Sequence, residues 1–145
     1  MAQVEKTVLV GQSAERMFNL VDDVEAYPHF LPWCGGVDLH RKDDVITEAT
    51  LHIDYHGLKQ KFTTENSKTF PTSMDIRLKS GPFKHLEGFW HFTPLAEDAC
   101  KVQFRLQYEF SSIILEKLIA PVFGHIANTF VEAFVRRAES DHKTP

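Results

Sequence analysis

The sequence predicts an α+β fold in which a curved antiparallel sheet of about six to seven strands wraps around a long C-terminal helix, with short helices after the first strand. Between residues 45 and 110, apolar and polar residues alternate with a period of two, in segments separated by turn residues such as Gly57 and Gly81-Pro82. From about residue 112 to 140 the apolar spacing changes to three and four. A length of 145 residues with 43% hydrophobic and 25% charged residues indicates one domain, residues 1–145, with one core.

The N-terminal part of the chain predicts a strand followed by a short helix. Residues 3–10 alternate as a strand does, and Ser13 is suited to cap the helix that follows. Met17, Phe18 and Val21 recur at helical spacing. We therefore expect these three side chains to face the core.

An aromatic connector, residues 27–34 (Tyr-Pro-His-Phe-Leu-Pro-Trp-Cys), follows that helix. Pro28 and Pro32 fix their own φ angles and hold the preceding residues out of the α region, so the segment is stiff. It displays four large apolar side chains, Tyr27, Phe30, Leu31 and Trp33. Two interpretations remain open: the connector is a lid on the core, or it borders the mouth of an apolar cavity.

Six strands are expected between the connector and the C-terminal helix, in an antiparallel meander. The first of them follows the connector, and the others have one apolar face each. The predicted inward residues include Val45, Thr47, Ala49, Leu51, Ile53 and Tyr55; Leu58, Gln60, Phe62 and Thr64; Met74, Ile76 and Leu78; Leu86, Gly88, Trp90 and Phe92; Val102, Phe104, Leu106, Tyr108 and Phe110.

The C-terminal helix carries an apolar stripe long enough to cross the whole sheet. Its predicted members are Leu115, Leu118, Ile119, Val122, Ile126, Phe130, Ala133 and Phe134. Pro121 should break or kink the helix near Ala120, and we expect Ile113, Ile114 and Phe123 to lie off the stripe. Because a curved sheet does not fill its own concavity, an apolar ligand has a natural site between sheet and helix.

Charge and cysteine content exclude several classes of protein. A formal net charge of −4 argues against a protein that wraps nucleic acid, and no DNA partner is expected. Two cysteines, Cys34 and Cys100, form no disulfide framework and are expected to be reduced. We find no signal peptide and no apolar stretch of about 18 residues, so the expected location is the cytoplasm, with peripheral contact at a membrane left open for residues 113–123.

A set of basic residues is predicted on the outer face of the sheet. Such a set fits a footprint for ribosomal RNA or anionic headgroups, but acidic Asp75, Glu87 and Glu109 share the face, as on an ordinary solvated sheet. The basic residues are Lys59, Lys61, Arg77, Lys79, Lys101 and Arg105.

Four motifs, which together extend over nearly the whole chain, resemble those of a known family. They are Leu20-Val21-x-Asp23-Val24-x-x-Tyr27-Pro28-x-Phe30-Leu31-Pro32-Trp33-Cys34, Phe62-Thr63-Thr64-x-Asn66, Gly81-Pro82-Phe83-x-x-Leu86-x-Gly88-x-Trp90-x-Phe92-x-Pro94 and Ala133-Phe134-x-x-Arg137-Ala138. In these the chain resembles the coenzyme Q-binding, START-like family, which includes the bacterial ribosome association toxin RatA and has also been labelled oligoketide cyclase or polyketide cyclase/dehydrase.

The resemblance implies a helix-grip fold with a hydrophobic tunnel for a polyprenyl quinone such as ubiquinone, and a role in cellular respiration. The alternative it implies is RatA-like binding to the large ribosomal subunit that blocks subunit association, and a third is a polyketide cyclase/dehydrase. Glu65 stands where the family often has an arginine. That difference weakens any role for a cation there.

The residues themselves predict no catalytic or metal site. His52 and His56 are four apart on a predicted strand, a spacing that does not converge on a metal. Cys34 has no sequence context for an activated thiol. A cyclase would need an acid or base in the cavity, such as Tyr55, Tyr108 or His29, whereas the inward faces are mainly apolar. We expect a binding protein rather than an enzyme, with no required cofactor and a ubiquinone-like lipid as its ligand.

Fourteen side chains are predicted to bind that ligand. They come from the connector, the inner face of the sheet and the helix: Tyr27, Phe30, Leu31, Trp33, Leu51, Phe62, Met74, Phe83, Trp90, Phe104, Tyr108, Val122, Ile126 and Phe130.

Overall fold

The structure is a computed structural model that describes the backbone of residues 1–143 and the side chains of residues 1–140. Its elements follow the predicted order. They are β1 (Ala2–Val10), α1 (Ala14–Asp22), a 3₁₀ helix (Val24–His29), β2 (Cys34–Lys42), β3 (Ile46–Tyr55), β4 (Leu58–Thr69), β5 (Ser73–Ser80), β6 (Phe83–Ala96), β7 (Ala99–Phe110) and α2 (Ile113–Lys143).

The seven strands form one antiparallel sheet in the order β1-β7-β6-β5-β4-β3-β2. Strands β2 to β7 are the predicted meander, and β1 pairs with β7, where Val4 lies opposite Leu106. The β3–β4 hairpin turns through two residues of positive φ, His56 and Gly57, as the tightest hairpins require. At Gly88 the β6 backbone lies so close to β7 that an added Cβ would be 2.1 Å from the Arg105 carbonyl oxygen.

Helix α1 forms as its sequence predicts. The Ser13 hydroxyl accepts a hydrogen bond from the Arg16 backbone N–H at 3.1 Å, which satisfies one of the free donors of the first turn. Met17, Phe18 and Val21 are buried against the core. The α1 prediction is confirmed.

The aromatic connector packs onto the core. Its first part is the 3₁₀ helix, which contains Pro28, and the buried Tyr27 hydroxyl donates a hydrogen bond to the Val21 carbonyl. Leu31 and Trp33 are only 2% and 4% exposed, respectively. The large apolar side chains of the connector therefore cover the core, while Pro28, His29 and Pro32 are exposed.

The break predicted as one outcome for helix α2 at Pro121 does not occur, because the helix continues through that residue. A proline in a helix leaves the carbonyl four residues earlier without its N–H partner. That carbonyl belongs to Lys117, and both Lys117 and Pro121 are exposed. Water can therefore satisfy the carbonyl, and the helix need not end.

The buried stripe of α2 is rotated from the predicted one. Phe123, expected off the stripe, is 2% exposed and packs against Tyr108 with ring centroids 4.8 Å apart. Leu118, expected on it, is 57% exposed, and Val122 is only partly buried. Ile113 and Ile114 are exposed as predicted. The buried residues are Ile119, Phe123, Ile126, Ala127, Val131, Phe134 and Ala138.

Two further expectations need correction. Val45 precedes β3 and is 57% exposed, so it does not belong to the inner face. Residues 113–140 also form a helix that is long and apolar enough to cross a membrane by length and composition. Core helices pass the same test, and α2 buries Ile119, Phe123 and Phe134 within the core.

A buried ion pair that we did not predict links α1 to the sheet. Lys68 Nζ lies 2.9 Å from Asp22 Oδ2, and the side chains are 4% and 10% exposed. The Thr47 hydroxyl donates to Asp22 Oδ1 at 2.7 Å. Because Lys68 continues the alternation of Phe62, Thr64 and Asn66, the period of two places it on the inner face, and Asp22 neutralises it there.

Candidate ligand-binding site

An apolar cavity of about 70 Å³ lies between the sheet and α2. Sites that hold small molecules usually measure about 300–1,000 Å³. The cavity is therefore smaller than such sites as it stands. Its lining comes from the connector, strands β3 to β7 and α2: Val24, Tyr27, Trp33, Thr47, Ala49, Leu51, Phe62, Thr64, Asn66, Ile76, Leu86, Trp90, Phe104, Leu106, Phe123, Ile126, Ala127 and Phe130.

Four aromatic rings pack together in the cavity wall. Trp90 lies 4.6 Å from Phe104 and 5.7 Å from Phe130, measured between ring centroids. Trp33 lies 6.1 Å from Phe130. Rings at these distances and tilts attract each other and also present flat apolar surfaces to a planar ligand.

A groove of about 400 Å³ opens on the outer side of the connector. Among its walls, the ring of Tyr55 stacks on His125 at 5.8 Å, and the Arg137 guanidinium lies 5.2 Å from the centre of the Phe30 ring. The lining is Phe30, Leu31, Pro32, Trp33, Tyr55, His125, Thr129, Ala133, Arg136, Arg137 and Ser140. Trp33 is the residue that lines both the groove and the inner cavity, so it lies at their boundary.

Eight of the fourteen predicted binding residues line the inner cavity: Tyr27, Trp33, Leu51, Phe62, Trp90, Phe104, Ile126 and Phe130. Phe30 and Leu31 lie in the groove, together with Trp33. Met74, Phe83 and Tyr108 are buried in the core outside the cavity lining, and Val122 is partly buried beside it. Val122 is displaced by the rotation of α2, which brings Phe123 to the cavity in its place.

The fourteen predicted binding residues include none of the polar side chains of the lining, Thr47, Thr64 and Asn66. Thr47 and Thr64 were predicted to face inward, but not to belong to the site, and Asn66 was not predicted at all. All three follow the inward alternation of β3 and β4, and Thr47 lies opposite Asn66 in the register. The period-two alternation of β3 and β4 marks these positions as inward-facing. The predicted ligand-binding set, however, contained only apolar and aromatic side chains from the two strands.

Tyr27 is the one titratable residue in the described cavity lining. Its hydroxyl donates to the Val21 carbonyl, and burial, with a smaller contribution from Asp22, raises its pKa well above the ordinary value. Burial also raises the pKa of the Cys34 thiol, so the reactive thiolate is disfavoured. Within the described residues no group of three or more His, Cys, Asp or Glu side chains is placed to hold a metal ion. The arrangement suits enclosure of an apolar molecule rather than proton transfer.

The six predicted basic residues lie on the outer face, among acidic neighbours. Lys79 Nζ is 3.3 Å from Glu65 Oε2 and 3.9 Å from Glu48 Oε1. Arg77 lies opposite Glu65 on one side and Glu87 on the other. The face therefore has mixed charge. Glu65, which stands where the resemblance suggested an arginine, supplies part of the negative charge.

Comparison with known proteins matches residues 10–135 to the family described as polyketide cyclase / dehydrase and lipid transport. Ribosome association toxin RatA of Vibrio cholerae is 43% identical over 139 residues, 96% of each chain. RatA of Escherichia coli K12 is 40% identical over 96% of this chain and 88% of its own. Coenzyme Q-binding protein COQ10 homolog B of Xenopus laevis is 26% identical over 94% of this chain and 57% of its own.

Solved structures share the fold. A START superfamily protein from Mycobacterium smegmatis superimposes with a TM-score of 0.74 at 26% identity, covering 95% of this chain and 97% of its own. The Zhui aromatase/cyclase from Streptomyces gives a TM-score of 0.80 at 18% identity, covering 99% of this chain and 96% of its own. The second likeness concerns the fold alone.

Proposed function

We propose a lipid-binding function for this chain, which belongs to the polyketide cyclase/dehydrase and lipid transport family and, within it, to the group that contains the RatA proteins. It binds an apolar lipid between its sheet and α2. The lipid we propose is a polyprenyl quinone of the ubiquinone type. One observation carries the proposal: an aromatic-walled cavity between the sheet and α2 adjoins a groove on the outer side of the connector, and Trp33 lines both.

Binding requires the site to open. A dry cavity of about 150 Å³ is enough for benzene, and the cavity here is about 70 Å³. Rotation of Trp33 away from Phe130 would join it to the groove of about 400 Å³, which gives a continuous passage of ligand size. The quinone ring would then lie in the cavity and the isoprenoid chain along the groove.

The proposed role is binding and not catalysis. A reaction such as cyclisation needs an acid or base beside the ligand. The described cavity offers only Tyr27, whose hydroxyl is bonded to a backbone carbonyl and whose proton is held more tightly than usual. In this proposal the protein needs no cofactor and holds the quinone for respiratory electron transfer.

Exposed apolar residues at the start of α2 support transient contact with a membrane, where polyprenyl quinones reside. Ile113, Ile114 and Leu118 are 67%, 74% and 57% exposed. Contiguous exposed apolar side chains of this kind mark sites that meet a partner or a lipid surface. We place the protein in the bacterial cytoplasm and, while it exchanges ligand, at the inner membrane.

A second candidate function is association with the ribosome through the large subunit, which the names of the RatA relatives favour. If the outer face binds ribosomal RNA, Lys59→Glu with Arg77→Glu should reduce co-sedimentation with large subunits, and added salt should do the same. Lys117→Glu, at an exposed position on α2 away from the outer face of the sheet, is the matched control. Wild-type protein that fails to co-sediment at low ionic strength would remove this function.

Titration with decylubiquinone tests the lipid proposal. We expect saturable binding to the wild-type protein, measured by calorimetry. Ala127→Phe, which places a large side chain in the cavity, should weaken binding at least tenfold while circular dichroism shows an unchanged fold. Saturable binding of equal strength to both proteins would place the ligand elsewhere and contradict the proposal.

A further inference from the structure

The side-chain oxygen of Asn66 has no partner in an otherwise apolar cavity. Asn66 Oδ1 is buried and accepts no hydrogen bond from the described residues, although Asn66 is part of the cavity lining. In folded proteins about 90% or more of buried polar groups are paired, so each exception calls for a physical reason. A missing ligand is one such reason.

The hydroxyl opposite Asn66 cannot be the partner. Thr47 faces Asn66 directly across the β3–β4 register. Its only hydroxyl hydrogen is donated to Asp22 Oδ1 at 2.7 Å, and Asp22 is itself fixed by Lys68. Because this hydrogen is already used, the Thr47 hydroxyl can only accept further hydrogen bonds. It therefore cannot donate one to Asn66 Oδ1.

The other neighbours of Asn66 leave the position open to a ligand. Ile76 lies opposite it on β5 and has no polar side-chain atom. Thr64, two residues earlier on the same face of β4, brings a second polar group to the cavity. Asn66 and Thr64 therefore form a polar end in a cavity whose remaining walls are aliphatic and aromatic, apart from the bonded hydroxyls of Thr47 and Tyr27.

We infer that Asn66, with Thr64, is a hydrogen-bonding subsite for a ring oxygen of the ligand, so that the ligand is a lipid with a carbonyl or hydroxyl headgroup and not a plain hydrocarbon. The inference rests on the proposed function. As placed, Asn66 Oδ1 accepts a hydrogen bond from a hydroxyl. Rotation of the amide by about 180° presents its NH₂ group, which donates to a carbonyl. One side chain thereby serves both the oxidised and the reduced form of a quinone ring.

Two probes of similar shape test the subsite. Duroquinone carries two ring carbonyls, and 1,2,4,5-tetramethylbenzene carries none. For Asn66→Leu we expect duroquinone to bind about 3- to 10-fold more weakly, as befits one lost hydrogen bond, while the affinity for tetramethylbenzene changes by less than about twofold. The Tm of the ligand-free protein should rise, because an unpaired buried amide is replaced by an apolar side chain of similar size. If Asn66 had only a structural role, Asn66→Leu would lower the Tm.

Two further variants keep the test decisive. Thr64→Val removes only a hydroxyl and should weaken duroquinone binding selectively, even if Asn66→Leu does not fold. Ile76→Val, the matched control on the next strand, should affect both probes equally. Equal losses for both probes in Asn66→Leu and Thr64→Val would overturn the subsite and leave the proposed lipid binding standing. Failure of wild-type protein to bind either probe would overturn both.

Discussion

The indole of Trp33 lies 6.1 Å from the ring of Phe130, at an angle of 44°. This contact joins the connector to α2, and Phe130 lines only the inner cavity, whereas Trp33 lines both the cavity and the groove. In the function we propose, this contact is the point at which the cavity opens to the ligand.

Replacing Trp33 with alanine should destabilise the protein and open the cavity. Trp33 is 4% exposed, and truncation of a buried tryptophan costs about 3 kcal/mol in the free energy of unfolding. Association of decylubiquinone, followed by stopped flow, should be faster than in the wild type because the side chain at the boundary of cavity and groove is gone. Met74→Ala, which truncates a buried side chain outside the linings of both the cavity and the groove, is the control and should leave the association rate unchanged. An unaltered rate in Trp33→Ala would show that the ligand takes another route.

Removing Lys68 should cost more than removing a neighbouring lysine that shares its partner. Lys68→Met leaves the Asp22 carboxylate buried without its close cation, and loss of one member of a buried pair costs about 3–5 kcal/mol. Lys42 Nζ lies 3.9 Å from the same oxygen but its side chain is 40% exposed, so Lys42→Met should change stability by less than about 1 kcal/mol. Urea unfolding measures both. Equal effects would mean that Asp22 is not neutralised mainly by Lys68.

The turn between β2 and β3 should lose stability in acid when Asp43 is protonated. Backbone N–H groups of Val45 and Ile46 and the Arg41 side chain all donate to the Asp43 carboxylate, and these bonds lower its pKa to about 2, with Val45 contributing most. Because the folded-state pKa lies below the unfolded one, the contribution is complete above about pH 4 and is lost as the pH falls through 2. Thermal unfolding of Asp43→Ala should therefore show a shallower loss of stability between pH 4 and 2 than the wild type. An identical slope would exclude Asp43, and Asp44→Ala is the control.

Polar substitutions at the start of α2 should slow ligand exchange with membranes. Ile114→Asp with Leu118→Asp replaces two exposed apolar side chains, so the Tm should change little. Extraction of ubiquinone from liposomes should slow, because the apolar surface that contacts the bilayer is lost. Leu9→Asp, at an exposed apolar position on β1, is the control. Equal extraction rates in all three proteins would contradict contact through α2.

The sequence predicted the sheet well because its signal is local. A strand buried on one face must alternate, and the predicted inward residues of β6 and β7, such as Trp90 and Phe104, follow the pattern. Phe83 is the exception, because a register shift at the start of β6 turns it inward. The same rule extends to Lys68 and Asn66, but alternation does not reveal which partner makes a polar residue tolerable there. Asp22, which neutralises Lys68, lies 46 residues away.

The helix was harder to predict because its rotation is set by packing with distant strands. Apolar residues cover more than half of the first turns of α2, so several stripes fit the spacing equally well. Phe123 faces inward because Phe83 and Tyr108 meet it there, with centroids 4.9 and 4.8 Å away. Leu118 then faces solvent, and Val122 lies beside the cavity.

The lipid that co-purifies with the protein tests the central proposal most directly. Protein isolated from its native host without detergent is extracted with organic solvent, and the extract is analysed by mass spectrometry beside that of Ala127→Phe. We expect a polyprenyl quinone near one equivalent per chain in the wild type and a much smaller amount in the variant. A wild-type extract without any quinone, or equal amounts from the two proteins, would contradict a quinone site between the sheet and α2.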